Sequence, residues 1–402
     1  MTCVCLVLFT ILGVALSACN SSITTVTSPS SKTFTPTSAS TTTGIYLSTT
    51  TQIVGPIAEA ITAGPDGNVW FAESNENKIA KISPATGKII VYDVPTANAY
   101  PWGITTGPDG NVWFTEASGD KIGVISPATG KITEYDVPTY NAGPIGVTVG
   151  ADGNLWFTEE SGNKISKISP TNGSITEYNI PTAIAMVYDG ITAGPDGNVW
   201  FTESQGNKVG KISPETGEIT EYNVPANNGV NAGPYGIAAG PDGNVWFTEL
   251  NDNQIGKISP TTGSITEYSF PGDYVGPYAI AAGPDGNLWF TKTTENKVGK
   301  ISPVTGEITE YSIPTANVGP YAITTGPDGN LWFTETYNNQ IGKISPTDGN
   351  VIEYSILVTT QTKPPPTVTQ TTSITGTTIT VTTTVIPAPS TVTTTVTVTS
   401  SH

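Results

Sequence analysis

One seven-fold repeat constrains the fold of this chain more than any other feature. The tripeptide Asp-Gly-Asn followed one residue later by a Trp-Phe pair occurs seven times, at spacings of 43, 43, 44, 46, 43 and 43 residues. A period of about 40–45 residues that contains several short strands is typical of propeller blades. The first residues of the seven copies are Asp66, Asp109, Asp152, Asp196, Asp242, Asp285 and Asp328.

The third unit shows how one repeat is expected to fold. Residues 146–148 are a short apolar run that ends at a Gly-Ala-Asp-Gly turn, in which Gly can adopt a positive φ. Residues 154–159, 164–168 and 174–178 have the apolar runs or alternation of three further strands. We therefore predict an all-β fold, a single seven-bladed β-propeller with four antiparallel strands per blade over residues 53–357. The last unit has its own outer strand, so closure should be simple packing of blade 7 on blade 1.

The two ends differ in composition from the repeat. Val4–Leu16 is apolar but short for a membrane span, and the following Leu-Ser-Ala-Cys resembles the lipobox of prolipoproteins. We expect a signal peptide over 1–18, lipidation of Cys19, and an extracellular protein anchored to the membrane at the cell surface. Plain secretion and an uncleaved anchor are the alternatives, because residues 1–3 contain no Lys or Arg. The Ser/Thr-rich linker at 19–52 and the Thr/Val/Pro-rich tail at 358–402 are predicted to be disordered.

The charge balance excludes several classes of function. The chain has 16 Lys and no Arg against 33 Asp and Glu, for a formal charge of −17. Because nucleic acids and anionic lipid headgroups attract cationic surfaces, we expect no nucleic-acid partner. The single His is His402, and all three Cys precede residue 20, so the repeats have no Ser-His-Asp or Cys-His arrangement. We expect a monomer.

The repeat resembles that of a known family. Gly233–Glu249, Asn207–Pro214 and Ile219–Tyr222 are similar to successive parts of the repeat of the virginiamycin B lyase family. The resemblance covers about three quarters of the chain and implies a seven-bladed propeller. It also implies that active members open streptogramin B antibiotics by Mg²⁺-dependent elimination. In those members, two Pro-His-(Ala/Gly)-Ile segments supply a general acid/base, and two Glu hold the metal.

The residues at the matching positions of this chain are different. Tyr278 and Tyr321 stand where the resemblance implies histidines, and Gly319 stands where it implies the first Glu. Glu335 lies at the second Glu position or one residue short of it. A tyrosine, with a pKa of ~10, is a poor base near neutral pH. We therefore predict a non-catalytic propeller with no cofactor and no metal site. The alternative is a Mg²⁺-dependent carbon–oxygen lyase that uses Tyr278, Tyr321 and Glu335.

The residue that opens each inner strand is a candidate for ligand binding. In a propeller this residue lies where the loop between blades enters the central channel. Ile145 and Glu59 complete the ring, and aromatic and acidic residues at one mouth suit an apolar, aromatic or sugar ligand. We therefore predict a small molecule, glycan or protein partner, with tyrosines that merely plug the channel as the alternative. The predicted binding residues are Trp102, Asp189, Tyr235, Tyr278 and Tyr321.

A ring of acidic residues is the last candidate. Six of the seven Trp-Phe strands end in Glu, and the remaining one ends in Lys292. We interpret these carboxylates as members of exposed pairs with nearby Lys, which are individually weak, in preference to a cation-binding ring. The six residues are Glu73, Glu116, Glu159, Glu203, Glu249 and Glu335.

Overall fold

The computed structural model describes residues 57–226, 229, 231–270 and 276–356, with the backbone of 367–374 and 377–384. The predicted signal peptide, Cys19 and the Ser/Thr-rich linker lie outside these residues. Seven four-stranded antiparallel sheets follow one another along the chain, each in sequence order from the inner strand to the outer strand. The predicted seven-bladed propeller is confirmed. Within the described part of the chain, no helix is long and apolar enough to span a membrane.

The strands of the seven blades are numbered in chain order. Blades 1 and 2 contain β1 (Ala58–Ala63), β2 (Val69–Glu73), β3 (Lys78–Ile82), β4 (Ile89–Asp93), β5 (Pro101–Thr106), β6 (Val112–Glu116), β7 (Lys121–Ile125) and β8 (Ile132–Asp136). Blades 3 and 4 contain β9 (Pro144–Val149), β10 (Leu155–Glu159), β11 (Lys164–Ile168), β12 (Ile175–Asn179), β13 (Ile191–Ala193), β14 (Val199–Glu203), β15 (Lys208–Ile212) and β16 (Ile219–Asn223). Blades 5 and 6 contain β17 (Pro234–Ala239), β18 (Val245–Glu249), β19 (Gln254–Ile258), β20 (Ile265–Ser269), β21 (Pro277–Ala282), β22 (Leu288–Lys292), β23 (Lys297–Ile301) and β24 (Ile308–Ser312). Blade 7 contains β25 (Pro320–Thr325), β26 (Leu331–Glu335), β27 (Gln340–Ile344) and β28 (Val351–Ser355).

Two further strands lie in the tail that the sequence predicts to be disordered. They are β29 (Thr367–Ile374) and β30 (Thr377–Thr384), which pair with each other in antiparallel register. Both are rich in β-branched Thr, with Val or Ile between, and such residues favour an extended, pleated backbone. The remainder of the tail lies outside the described residues.

Each blade contains a buried Trp that bonds to the turn aspartate and stacks on the outer-strand Tyr, which explains why the two parts of the motif occur together. In blade 1, the indole N–H of Trp70 donates to the Asp66 carboxylate at 2.9 Å, and the indole stacks on Tyr92 with ring centroids 5.6 Å apart. The Lys81 ammonium lies 2.9 Å from Asp66 and 4.8 Å from the Trp70 ring centroid. A buried Trp needs a partner for its N–H. The turn aspartate supplies that partner, so it also anchors the second strand.

The ring closes through the contact that joins neighbouring blades. Tyr92 of blade 1 lies against Gly130 of blade 2, where a Cβ would come within 2.6 Å of the Tyr ring. Tyr354 of blade 7 lies in the same way against Gly87 of blade 1, where a Cβ would come within 2.8 Å. Both glycines have a φ near +70°, which glycine adopts at little cost. Because the last blade supplies its own outer strand, closure is packing of blade 7 on blade 1.

Candidate functional site at the channel mouth

In blades 2 to 7, a side-chain hydroxyl of the preceding blade holds the start of the inner strand. In blade 6, the hydroxyl of Thr248 from blade 5 donates to the backbone carbonyl of Tyr278 at 2.6 Å, and the same hydroxyl accepts from the Gly236 N–H at 2.8 Å. The pairing of β21 with β22 shifts between Pro277 and Ile280, which marks a β-bulge. Bulges redirect side chains and are common beside functional sites. Here the bulge occurs at the residue predicted to enter the channel.

The register of the inner strands places seven residues at equivalent positions. Proceeding around the ring from blade 4 to blade 1, five consecutive positions hold a carboxyl, three phenols and a second carboxyl. The other two positions, in blades 2 and 3, hold Trp102 and Ile145. We call the first five residues the polar arc: Asp189, Tyr235, Tyr278, Tyr321 and Glu59.

The three tyrosines of the polar arc contact one another directly. The ring centroids of Tyr235 and Tyr278 are 5.0 Å apart in an edge-on arrangement, and those of Tyr278 and Tyr321 are 4.9 Å apart. The hydroxyls of Tyr235 and Tyr321 lie 2.6 Å apart and share a hydrogen bond. Tyr188 extends the cluster by stacking on Tyr235 with centroids 5.6 Å apart. The rings are therefore held in a fixed arrangement before any ligand arrives.

A cavity of about 170 Å³ lies between these residues. Asp189, Tyr235, Tyr278 and Tyr321 line it together with apolar residues of the inner strands, so the structure brings four of the five predicted binding residues together. Trp102 is not among the lining residues and lies instead beside Tyr100, with ring centroids 5.8 Å apart. Inner-strand residues of all seven blades line the cavity, with Ile104 and Val147 contributed by blades 2 and 3, so Trp102 is the one predicted binding residue that does not line it.

The two carboxyls of the polar arc have unusual proton affinities. Burial raises the pKa of Glu59 to about 8, and the neighbouring charge of Asp189 adds to the shift. Burial also raises the pKa of Asp189 to about 6. Burial raises the pKa values of Tyr235 and Tyr321 well above 10, so these phenols stay neutral and cannot act as bases near pH 7. Near neutral pH the arc therefore contains about one negative charge and two phenol donors.

The loop that leads to Asp189 contains backbone strain that the sequence analysis did not detect. Ile184 and Met186 have φ values of 57° and 51°, where the loop before blade 3 has Asn141 and Gly143. A β-branched residue in this region is a real outlier, and such strain concentrates at functional sites. The sequence contains the signal, because Ile and Met replace the Asn and Gly of the repeat at these two positions.

Relaxing this loop should stabilise the protein and alter the mouth. The double change Ile184→Asn and Met186→Gly places residues that accept positive φ at both positions. We expect the free energy of unfolding to rise by about 1–3 kcal/mol, because the strain is removed. Chemical denaturation followed by tryptophan fluorescence measures this change. Asn141→Ile with Gly143→Met in the unstrained loop is the matched control and should lower stability; an unchanged or lower stability in the first variant would contradict the strain argument.

Comparison with known proteins decides the family. The model of the virginiamycin B lyase family matches residues 40–231 and 190–375. The chain belongs to the virginiamycin B lyase family. A streptogramin B lyase structure is 39% identical, covering 73% of this chain and 94% of that chain, with a TM-score of 0.67. The comparison with curated protein sequences gave no significant match.

Two further structures of the family extend this comparison. Selenomethionine-substituted virginiamycin B lyase from Staphylococcus aureus is 39% identical, covering 73% of this chain and 96% of that chain, with a TM-score of 0.65. A catalytically inactive His-to-Ala variant of virginiamycin B lyase from Staphylococcus aureus, with quinupristin, is 37% identical over the same shares, with a TM-score of 0.66. A hydrazine synthase from Kuenenia stuttgartiensis, at 16% identity and a TM-score of 0.56, shares the fold alone.

The residues at the family's metal positions do not fit a magnesium ion. A side chain at Gly319 would require a φ of +61° and would place its Cβ 2.6 Å from the Tyr337 ring. Glu335 is fully buried at the end of β26, and burial followed by the charge of Glu353 raises its pKa to about 8. Mg²⁺ prefers several ionised or carbonyl oxygens in octahedral geometry. Within the described ranges, no group of three or more His, Cys, Asp or Glu could hold a metal ion.

The acidic ring differs from its interpretation as exposed pairs. All six glutamates are at most 2% exposed, and the nearby lysines instead pair with other acids, such as Lys164 with Glu177 and Lys208 with Glu221. The blade without the glutamate has a buried salt bridge between Lys292 and Glu310. The interpretation was wrong because other carboxylates take the lysines: an outer-strand Glu in blades 3 and 4, Asp136 in blade 2 and Glu76 in blade 1.

Proposed function

We propose that the protein is a non-catalytic ligand-binding propeller of the virginiamycin B lyase family, exported and tethered to the membrane through Cys19. The single observation that carries the binding role is one cavity of about 170 Å³ that three mutually fixed tyrosines and the Asp189 carboxyl of the polar arc line. Pockets with aromatic walls and a few convergent polar groups are the usual form of small-molecule sites. The partner is a small molecule, a glycan or a protein segment that enters the mouth, and the binding unit is a monomer.

The binding role is tested by removing the aromatic walls. We expect Tyr278→Ala and Tyr321→Ala each to weaken ligand binding about fivefold or more, since a buried aromatic contact contributes roughly 1 kcal/mol or more. A screen of glycans and small aromatic compounds against the full chain, followed by titration, provides the measurement. Tyr140→Ala, at a side chain that is 95% exposed in the loop between blades 2 and 3, is the matched control. Unaltered binding in both mouth variants would contradict the assignment.

The anchor is tested separately from the propeller. The Leu-Ser-Ala-Cys sequence before residue 20 supports lipidation of Cys19. Cells that express the full chain should incorporate labelled palmitate into it, and Cys19→Ala should abolish the label. Cys5→Ala, within the predicted signal peptide, is the control that should retain it. Equal labelling of the Cys19→Ala variant would remove the anchor from the proposal.

A second candidate function is the Mg²⁺-dependent carbon–oxygen lyase reaction on streptogramin B-type cyclic depsipeptides. The 39% identity to a streptogramin B lyase over 73% of the chain favours it. In this alternative, Tyr278 and Tyr321 replace the acid/base groups and Glu335 is the remaining carboxyl. The raised pKa values of Tyr321 and Glu335 count against it, because they keep both groups protonated near pH 7. The binding role therefore fits the site better.

A further inference from the structure

We propose that the channel mouth takes an organic ammonium ion. This inference rests on the proposed binding function and names the chemical class of its ligand. The polar arc has a carboxyl at each end and three aromatic rings between them. Asp189 and the three tyrosines line the cavity, Glu59 lies outside the lining, and no Lys is among the lining residues. Ring faces attract cations through their quadrupole, and ammonium ligands are recognised by such cages. Carboxyls at both ends add a charge complementary to the ligand.

The carboxyls themselves lack a partner within the described residues. Glu59 is only 7% exposed, and burial and the charge of Asp189 are the influences that act on it, with no hydrogen bond among them. Asp189 likewise responds to burial without a hydrogen bond. A buried charge is costly unless it is paired. An ammonium ion in the cavity, beside Asp189 and near enough to Glu59 to act on its charge, would supply a counter-charge, which a neutral sugar or arene would not.

A small metal ion fits this site less well than an ammonium ion. Hard divalent cations require several oxygen ligands close together, and the described residues contain no acidic group of three that could hold one. The walls are tyrosine rings whose centroids are 4.9–6.5 Å apart, and these offer ring faces and edges more than oxygens. An alkylated or primary ammonium can use both the rings and the carboxyls.

Binding should release a proton, which provides a readout that a structural role would not produce. Asp189 acts on the pKa of Glu59, and Glu59 in turn acts on the pKa values of Tyr100, Tyr235 and Tyr321, so these are the titratable groups that face it. The phenols are neutral at pH 7, so the two carboxyls hold the exchangeable proton. A bound cation favours the ionised form of Glu59, whose pKa is about 8 in the free protein. Binding at pH 7 should therefore release up to one proton, and affinity should rise as the pH increases from 6 to 8.

The test compares choline with its neutral isostere 3,3-dimethylbutan-1-ol by calorimetry on the full chain. We expect choline to bind at least tenfold more tightly than the isostere. Repetition in buffers of different ionisation enthalpy should show proton release for choline only. Asp189→Asn and Glu59→Gln should each weaken choline binding at least tenfold, with little effect on the isostere. Glu215→Gln, in an exposed turn, is the matched control.

The outcomes separate this inference from the binding function itself. Equal affinity for choline and the isostere, or choline binding without proton release, would overturn the ammonium assignment and leave a mouth-binding site. Binding of a glycan or an arene without binding of choline would also overturn the ammonium assignment and leave a mouth-binding site. A third outcome is that neither probe binds and that the Tyr278→Ala and Tyr321→Ala variants bind every screened compound as the parent does. In that case both the ammonium assignment and the binding function are contradicted. Circular dichroism of each variant shows whether the propeller has folded.

Discussion

Purified protein that is given Mg²⁺ and a streptogramin B antibiotic should leave the lactone ring intact over hours at micromolar concentration. Elimination needs a base to remove the proton beside the carbonyl and an electrophile to stabilise the developing charge. Burial raises the pKa of Tyr321 well above 10, and Glu335 remains protonated to about pH 8. Loss of a positioned acid/base group typically costs ~10²–10⁴ in rate, and the missing metal carboxyl adds to that cost. Chromatography with mass detection would show any linear, dehydrated product.

Restoring the family residues should create activity if the positions have been assigned correctly. The changes are Tyr278→His, Tyr321→His and Gly319→Glu. Because a side chain at Gly319 would collide with the Tyr337 ring, the design also includes Tyr337→Ala. The matched control contains Gly319→Glu and Tyr337→Ala alone and should be inactive. Product from the unsubstituted chain would contradict the non-catalytic assignment and indicate an active centre at Tyr278, Tyr321 and Glu335.

The repeat predicts the fold well because every blade obeys the same local requirements. The turn aspartate, the Trp it bonds to and the glycine against the neighbouring Tyr lie in the sequence at fixed offsets, as Asp66, Trp70 and Gly87 show for blade 1. Each requirement is local or links adjacent repeats. The number of blades and the pairing order therefore follow from the period, and closure follows from the complete seventh unit.

The candidate site is less predictable because it depends on side-chain contacts between blades, at seven positions where the repeat varies. Equivalent positions in the repeat identify all seven residues. They do not show that Trp102 pairs with Tyr100 while Asp189 acts on the pKa of Glu59 from three blades away around the ring. The strained loop at Ile184 adds a further irregularity, since it begins blade 4 without the bulge that most blades have. Such contacts are set by side-chain size and loop path, which the period does not encode.

The acidic ring also shows that spacing along the chain does not predict which side chains pair. A Glu followed by a nearby Lys in sequence suggests an exposed pair, as between Glu203 and Lys208. In the structure, the outer-strand Glu221 takes the lysine at 2.6 Å and also accepts from the backbone and hydroxyl of Thr182 in the preceding loop. The Trp-Phe strand glutamate is left buried behind this layer. The competition involves three strands of blade 4 and the loop that enters it, so the short spacing between Glu203 and Lys208 cannot reveal it.

Stability should fall markedly as the pH rises from 5 to 9. Burial, with the charges of Glu267 and Asp252, raises the pKa of Glu249 to about 9; burial, followed by the charge of Glu134, raises that of Glu116 to about 8. Burial raises the pKa of Glu203 to about 7. These groups bind protons more tightly in the folded state than in the unfolded chain, where the pKa is about 4.5. Their contribution is fully present below about pH 4.5 and is lost as the pH rises through 7 to 9.

The size of this effect follows from the pKa shifts. A shift of three units corresponds to roughly 4 kcal/mol over the full titration of one group, which is a large share of the ~5–15 kcal/mol by which a domain is usually stable. We expect the melting temperature to drop by roughly 10 °C or more between pH 5 and pH 9. Thermal unfolding followed by circular dichroism across this range is the measurement. A melting temperature that is level or rises toward pH 9 would contradict the assignment of neutral carboxyls.

A single substitution isolates one of these groups. Glu249→Gln keeps the shape of the side chain and removes its titration, so the variant should lose part of the alkaline decrease and become more stable than the parent at pH 9. Glu249 is the best choice because neither of its carboxyl oxygens has a hydrogen-bond partner within the described residues, and its pKa is the highest of the ring. Glu215→Gln, in an exposed turn, is the matched control and should reproduce the parent profile. Because the decrease comes from several blades, the single variant should flatten it without abolishing it. Identical profiles for Glu249→Gln and the parent would show that this carboxyl is already ionised in the folded protein.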